Sequence, residues 1–245
     1  MTEEQPGVWS EKQKILVILA HPDDPEFFCG ATLIRWARMG HDIDYYLLTC
    51  GDKGSSDPGV DPSELCAIRH SEQRAAASLV GTRNVTFMEL PDGYLEPSID
   101  LRRKIVRIIR TRRPDVLVTC DPQNLYPSTT YGINHPDHRY AGQVVLDAVF
   151  PAAGNPHYFP ELLKDEGLEP WAPREVWVSI PSVANINVTL DVTDLWEDKI
   201  TALKEHKSQI GDPAKLEERM RSRRAPDSTE ENPRYEEKFH IIKLK

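Results

Sequence analysis

Four acid–base side chains crowd into one short stretch, Lys14–Leu33 (KILVILAHPDDPEFFCGATL): His21, Asp23, Asp24 and Glu26. They follow directly on a continuous apolar run, Ile15–Ala20. One imidazole and three carboxylates in that place look like the start of a metal site. A second cluster, Asn134-His135-Pro136-Asp137-His138, brings two imidazoles three residues apart. It follows another apolar run, Val116–Thr119, and a polar loop, Asp121–Ile133. A lone histidine is more often a satisfied structural residue than a ligand. Two His/Asp clusters, each placed after a run of strand length, are much harder to reach by chance.

The spacing carries further information. Pro22 disfavours continuation of a strand, so the residues after it enter a turn and then a helix. Across such a turn, positions three apart lie on the same side. His21 and Asp24 therefore converge on one ion, and Asp23 points elsewhere. Adjacent carboxylates aimed apart suit a ligand and a proton carrier. The competing reading is that both aspartates only cap the helix and favour its N-terminal dipole.

Ala20-His21-Pro22-Asp23-Asp24 with Glu26, joined to His135-Pro136-Asp137-His138, resembles the LmbE-like (PIG-L) family of zinc-dependent N-deacetylases. Supporting pieces are Thr49-Cys50-Gly51-Asp52-Lys53-Gly54, the helix bearing Glu64, Arg69 and Glu72, and Leu203-Lys204-Glu205-His206-Lys207-Ser208-Gln209. The resemblance runs from Lys14 to about Asp212. Two departures stand out. Pro25 separates Asp24 from Glu26, where some relatives place glutamate directly after the aspartates. Ile133 also holds a place that some relatives give to tyrosine, leaving Tyr131 as a substitute.

The resemblance implies roles residue by residue. His21, Asp24 and His138 become the ligands of Zn2+, although another divalent ion such as Fe2+ suits the same donors. Zinc on three N and O ligands keeps a fourth position for water and lowers its pKa to about 7. Asp23 becomes the general base and later acid, and His135 the donor to the tetrahedral oxyanion. The implied reaction is metal-assisted hydrolysis of an amide, releasing acetate and a free amine. The implied partner is a small N-acetylated aminosugar of the N-acetylglucosaminyl type. Arg69 and Asp92 are the positions nominated to read its hydroxyls, against a structural ion pair of Arg69 with Glu72 or Asp52. Glu26 and Asp137 are expected to orient ligands. The roles of His206 and Ser208 stay open.

The elements that must carry these residues can be read from pattern. Short apolar runs of four to eight residues are the mark of buried parallel strands. They fall at Ile15–Ala20, Ile43–Thr49, Val85–Met88, Val116–Thr119, Glu175–Ile180 and Ile186–Leu190, with Phe239–Leu244 as a terminal strand or tail. Helices are expected over Phe28–Met39, Pro62–Val80, Ile99–Arg112, His138–Phe150 and Asp191–Gln209. In the second helix, Leu65, Ile68, Ala76 and Leu79 are the expected inward stripe. The alternation gives an α/β, Rossmann-like, doubly wound and mostly parallel sheet in a single domain. Residues 1–13 are expected to be a flexible arm, 14–245 the deacetylase domain, and 211–234 a charged loop or partner surface. Residues 150–173 read as a packed excursion or a lid over the site.

Composition bounds the rest. The chain has 245 residues, 39% of them apolar, and a formal net charge of −9. That balance argues against phosphate-backbone binding, so no nucleic-acid partner is expected. No apolar run is long enough to span a bilayer, and with no leader visible a cytoplasmic location is expected. The four cysteines fit no CxxC pattern and read as buried thiols rather than a disulfide frame. A homo-oligomer remains open. A dinucleotide enzyme is disfavoured, because His-Pro-Asp-Asp stands where GxGxxG would. An amidase cleaving a larger sugar–thiol conjugate uses the same chemistry and is the first alternative. A non-catalytic sugar-binding protein is the second, although binding alone needs neither Asp23 nor His135.

Overall fold

The computed structural model describes residues 5–127 and 132–244. Strands β1 (Lys14–Leu19), β2 (Asp42–Thr49), β3 (Asn84–Leu90), β4 (Val116–Cys120), β5 (Glu175–Ser179), β6 (Val188–Asp191) and β7 (Glu236–Lys243) form one sheet of order β3-β2-β1-β4-β5-β7-β6. The first five are parallel, whereas β7 runs antiparallel between β5 and β6. The order reverses between β1 and β4. A crevice opens at such a switch point, beyond the carboxyl ends of the two strands. Both His/Asp clusters follow these two strands.

Alternation within the strands divides the core. Ile15, Val17 and Leu19 face α1 (Asp24–Arg38) and α2 (Pro62–Val80), while Leu16, Ile18 and Ala20 face α3 (Ile99–Arg112) and α4 (Pro136–Asp147). Residues at i and i+2 of a strand share a face, so two-sided burial requires the continuous apolar run seen in the sequence. A π-helical turn (Ala148–Ala153) and a short α5 (Pro160–Lys164) extend the α4 layer. The far side of the sheet is completed by α6 (Trp196–Leu203), α7 (Lys207–Ile210) and α8 (Pro213–Arg221). Among the described residues, no helix is long and apolar enough to cross a membrane.

Several expectations need correcting. The inward stripe of α2 is Leu65, Arg69, Gln73, Ala76, Ala77 and Val80, while Ile68 and Leu79 are half exposed. The first half of this helix lies over polar groups of the crevice, so polar side chains occupy its inner face. The expected helix 191–209 is divided, because His206 turns inward between α6 and α7. The charged stretch 211–234 contains α8, seated by buried Leu216 and Met220, with Trp196 Nε1 donating to Met220 O. In the expected arm, Trp9 packs on Trp36 and Trp177, and Trp36 Nε1 donates to Gly7 O. The excursion 150–173 is packed rather than a lid. Buried Arg110 donates to carbonyls of Ala152, Ala153, Asn155 and Tyr158, and Trp171 to Pro114 O, at the end of the sheet opposite the crevice. Cys50 and Cys66 are disulfide-bonded; Cys29 and Cys120 are buried thiols. The end of β2 meets the first turns of α2 there, a proximity that spacing alone does not reveal.

Helix α1 is interrupted at Cys29 (φ −148°, ψ 22°). The Glu237 carboxylate of β7 accepts from the N–H groups of Ala31 and Thr32 beyond that break. Lys199 of α6 pairs with Glu237 at 2.7 Å and donates to Phe27 O, and both side chains are almost wholly buried. The break is thus filled from two distant parts of the chain.

Helix α4 lies unusually close to the sheet at Gly142, where an added Cβ would collide with the carbonyl of Cys120. Gly to Ala inside a helix ordinarily gains up to about 1 kcal/mol. A backbone oxygen in a central strand cannot give way, so overpacking should win. We expect Gly142→Ala to lose about 1–3 kcal/mol. Urea unfolding checks this: the midpoint should fall with the slope unchanged, and an unchanged or higher midpoint would refute the close approach.

Candidate metal centre

The turn after β1 is fixed by its own backbone. Asp24 Oδ2 accepts from the N–H groups of Ala20 (3.1 Å) and His21 (2.8 Å), folding the carboxylate back over the strand end. Its other oxygen, Oδ1, lies 3.1 Å from His138 Nε2. His21 Nδ1 is 3.6 Å from Asp24 Oδ2. His138 stands in the first turns of α4, and its Nδ1 meets Asn134 Oδ1 at 2.9 Å. Asn134 in turn donates to Asn124 O, which fixes the loop before the helix. With the Nδ1 proton given to Asn134, the Nε2 lone pair of His138 is free to face the crevice.

His21 is held on its other side. Nε2 meets Asp92 Oδ1 at 2.9 Å and Asp137 Oδ2 at 3.4 Å. Asp137 is fully buried and also accepts from Gly93 N and Leu95 N. If Nε2 donates to these carboxylates, Nδ1 keeps its lone pair for an ion. The imidazoles of His21, His135 and His138 cluster with ring centroids 4.6–5.4 Å apart.

Two overlapping sets of ligand atoms lie within 4.8 Å of one another here: His21, Asp24 and His138, and His21, Asp92, His135 and Asp137. The second set is already spent. Its carboxylates accept from His21 and from backbone N–H groups, and His135 Nδ1 accepts from Asp137 N at 3.2 Å. The first set leaves His21 Nδ1, Asp24 Oδ1 and His138 Nε2 available. Three N and O donors with partners behind each histidine fit a divalent ion such as zinc.

Charge follows the same pattern. Burial alone would raise the Asp24 carboxyl, but His138 and His21 pull it far below the usual carboxylate range. Asp92 is likewise lowered to about 2, its burial outweighed by the hydrogen bond from His21. Burial would lower His21, yet Asp137, Asp24 and Asp92 together raise it well above its ordinary value. His135 is lowered, first by burial and then by the neighbouring imidazoles.

Asp23 is different in kind. It precedes α1 at φ 91°, a left-handed conformation that L-residues rarely adopt, and its side chain makes no capping bond. The capping alternative therefore fails for Asp23. Its N–H donates instead to Gln73 Oε1 at 2.8 Å, and its carboxylate faces Arg69 Nη2 at 3.4 Å. Arg69 also donates to Gly51 O and Pro22 O. Gly51 sits at φ 70° with no room for a Cβ beside that guanidinium. Burial raises the Asp23 carboxyl, and Arg69 only partly offsets it.

Arg69 was nominated to read sugar hydroxyls, with an ion pair to Glu72 or Asp52 as the alternative; it pairs with neither carboxylate and lies on Asp23. Arg69 and Asp92 are 4% and 5% exposed. Glu26 was expected on His21. It is fully buried and instead accepts from Gln73 Nε2 and meets His206 Nε2 at 3.1 Å, because Pro25 places it on the next face of the helix. Glu26 raises the His206 imidazole against the lowering effect of burial. Ser208 caps Glu72 through its N–H and hydroxyl. Tyr131 lies outside the described residues. Sequence reading missed Gln73, which ties Asp23 to Glu26, and Asn134, which orients His138. The i, i+4 spacing of Arg69 and Gln73 was the signal available for the first.

The sequence model of the GlcNAc-PI de-N-acetylase (PIG-L) family matches residues 16–149. A diacetylchitobiose deacetylase of Thermococcus kodakarensis is 32% identical over 202 residues, covering 82% of this chain and 72% of that protein. A 1D-myo-inositol 2-acetamido-2-deoxy-alpha-D-glucopyranoside deacetylase 2 of Saccharopolyspora erythraea is 26% identical, covering 80% and 83%. Among solved structures, the N,N'-diacetylchitobiose deacetylase of Pyrococcus horikoshii superposes with a TM-score of 0.83 at 30% identity, over 95% of this chain and 85% of that one. With the family model matching more than half of its length and a relative 32% identical over 82% of it, the chain belongs to the PIG-L (LmbE-like) family.

Proposed function

We propose that this protein is a metal-dependent N-deacetylase of an N-acetylglucosaminyl-type sugar, with His21, Asp24 and His138 holding zinc. The reading rests above all on the three unspent donor atoms converging beside a carboxylate, Asp23, that is withdrawn from helix capping. Zinc held there supplies Lewis acidity, polarising an amide carbonyl and bringing the pKa of water to about 7.

The chain's own groups do the rest. Asp23 takes the proton from the attacking water and returns one to the departing amine nitrogen. A carboxyl raised by burial holds that proton longer than a solvated one, which suits the second half of the task. Arg69 keeps Asp23 in place through the 3.4 Å contact and two backbone carbonyls, so we assign it to positioning rather than to sugar hydroxyls. Asp92 and Asp137 similarly hold His21. His135 accepts a backbone N–H at Nδ1, so its proton sits on Nε2, and its depressed pKa keeps the ring neutral. That N–H is the donor to the oxyanion of the tetrahedral intermediate.

The test is incubation of zinc-loaded protein with N-acetylglucosamine, diacetylchitobiose and a GlcNAc-inositol, with primary amine and acetate measured together. Equimolar release from at least one supports the reading, and no release from any of them refutes it. His135→Ala should keep the metal and lower turnover by on the order of 10² to 10³. Loss of zinc from that variant would make His135 a ligand instead of a donor.

A further inference from the structure

Outside the crevice, the described residues bring together one more group with metal-ligating chemistry: Cys50, Cys66, His70 and Glu89, with ligand atoms mutually within 4.8 Å. They come from three elements. Cys50 directly follows β2, Cys66 and His70 are one turn apart on α2, and Glu89 is near the end of β3. None of them touches the three donors described above.

The spacing of the donors suits a tetrahedral site once the Cys50–Cys66 bond is open. With Zn–S near 2.3 Å and Zn–N and Zn–O near 2.0–2.2 Å, the edges of a tetrahedral site are about 3.6 Å for S–N and S–O and about 3.4 Å for N–O. Cys66 Sγ lies 3.7 Å from His70 Nε2 and 3.7 Å from Glu89 Oε2, and His70 Nε2 lies 3.4 Å from Glu89 Oε1. The Cys66–His70 edge and, through one or the other oxygen of Glu89, an edge to Cys66 or to His70 thus have the lengths a zinc ion would impose, with no ion present to impose them.

Two further features aim the donors. The β2–β3 register slips between Leu47 and Thr49, where β3 carries one extra residue, and Glu89 takes φ 55° there. Such a bulge redirects a side chain, and here it delivers the Glu89 carboxylate to Cys66 and His70. The His70 ring is stacked on Phe87 at 3.7 Å between centroids, which fixes its plane. Cys50 is buried while the Glu89 side chain is 57% exposed, so one side of the group opens to solvent.

We propose that Cys50, Cys66, His70 and Glu89 form a second, closed metal site for a thiophilic divalent cation such as Zn2+, exclusive with the Cys50–Cys66 disulfide. Four protein ligands leave no position for water, so the site is structural. The two states interconvert with balanced chemistry. A dithiol reductant delivers two electrons and two protons, the S–S bond breaks to two thiols, and the reductant leaves as its own disulfide. Ion binding then releases both thiol protons as the sulfurs become thiolates. In either state Cys50 is tied to α2, and with it the adjoining Gly51–Lys53, whose Asp52 and Lys53 contact Asp92. The proposal does not depend on the deacetylase reading.

The test uses the full chain, stripped of metal, reduced with a thiol-free phosphine and titrated with Co2+ alone. Two equivalents should bind, one of them producing the intense thiolate-to-cobalt charge-transfer absorption. The oxidised protein should bind one equivalent without that band. His21→Ala should keep the band and lose the other equivalent, which separates this site from the first. His70→Ala and the milder Glu89→Gln should each weaken Co2+ affinity of the band-producing site by at least tenfold. A single equivalent and no thiolate band in reduced wild-type protein would overturn the proposal. So would a band unaffected by both His70→Ala and Glu89→Gln.

Discussion

Asp24→Ala should leave the purified protein without stoichiometric zinc and without deacetylation above background. The two oxygens of Asp24 have separate tasks. Oδ2 closes the turn onto Ala20 N and His21 N, and Oδ1 faces His138 across 3.1 Å. Alanine removes the only carboxylate among the three unspent donors, leaving two imidazoles for a dication. Losing a partner behind a ligand already costs about 10–100-fold in metal affinity, and losing a charged ligand should cost more. Asp24→Asn serves as the companion variant. Its amide oxygen can still accept the two backbone N–H groups, so the turn survives while the charge is gone. Metal content, circular dichroism and amine release on the same preparations decide the matter. Full zinc in a folded Asp24→Ala protein would remove Asp24 from the ligand set.

Asp23→Asn should keep zinc and substrate binding yet lose turnover by about 10² to 10⁴, the range for removal of a positioned general base. Asparagine is well chosen for this position. It tolerates the left-handed conformation that the backbone adopts at φ 91°, so Gln73 can still receive the N–H. What disappears is the ability to take a proton. The base works only when ionised, so kcat/KM in the wild type must rise as pH climbs through the Asp23 pKa. That pKa is raised by burial, which moves the rise to higher pH than an exposed aspartate would give. In the asparagine variant this acid limb should vanish. Turnover within a fewfold of wild type, with zinc bound, would return Asp23 to a structural role.

Much of this was legible in the residues. The apolar runs behind His21 and before the Asn134–His138 cluster mark the two strands whose divergence opens the crevice, because a strand buried on both faces has no alternation to hide. The three-residue spacing of His21 and Asp24 has its counterpart in the turn built on Asp24 Oδ2. What could not be read depends on long-range partners. The inner face of α2 carries Arg69 and Gln73 where an apolar stripe was expected, since that half of the helix packs on polar groups of the crevice, Asp23 and Glu26 among them, 46 to 50 residues earlier in the chain. Glu26 looks like a partner for His21 until Pro25 rotates it toward His206, 180 residues later. Helix α8 was hidden because only Leu216 and Met220 of its nine residues are buried. The Cys50–Cys66 pairing needs the register between β2 and α2, and spacing alone does not contain it.

The break in α1 has a consequence for the order in which the chain can be finished. The helix that begins with the His21–Asp24 turn is made before β2 through β5, which follow within about the next 150 residues on the usual N-to-C schedule. Yet the N–H groups freed at Ala31 and Thr32 are taken up by Glu237, on a strand that inserts between β5 and β6 after both have been made. Until that strand emerges, Lys199 also lacks its carboxylate in a place where neither charge can reach water. The nascent chain therefore carries both halves of its crevice while the helix beneath one of them is still open. Strand β7 thus acts as a latch: the helix beneath the His21–Asp24 turn is completed only after β7 has been made.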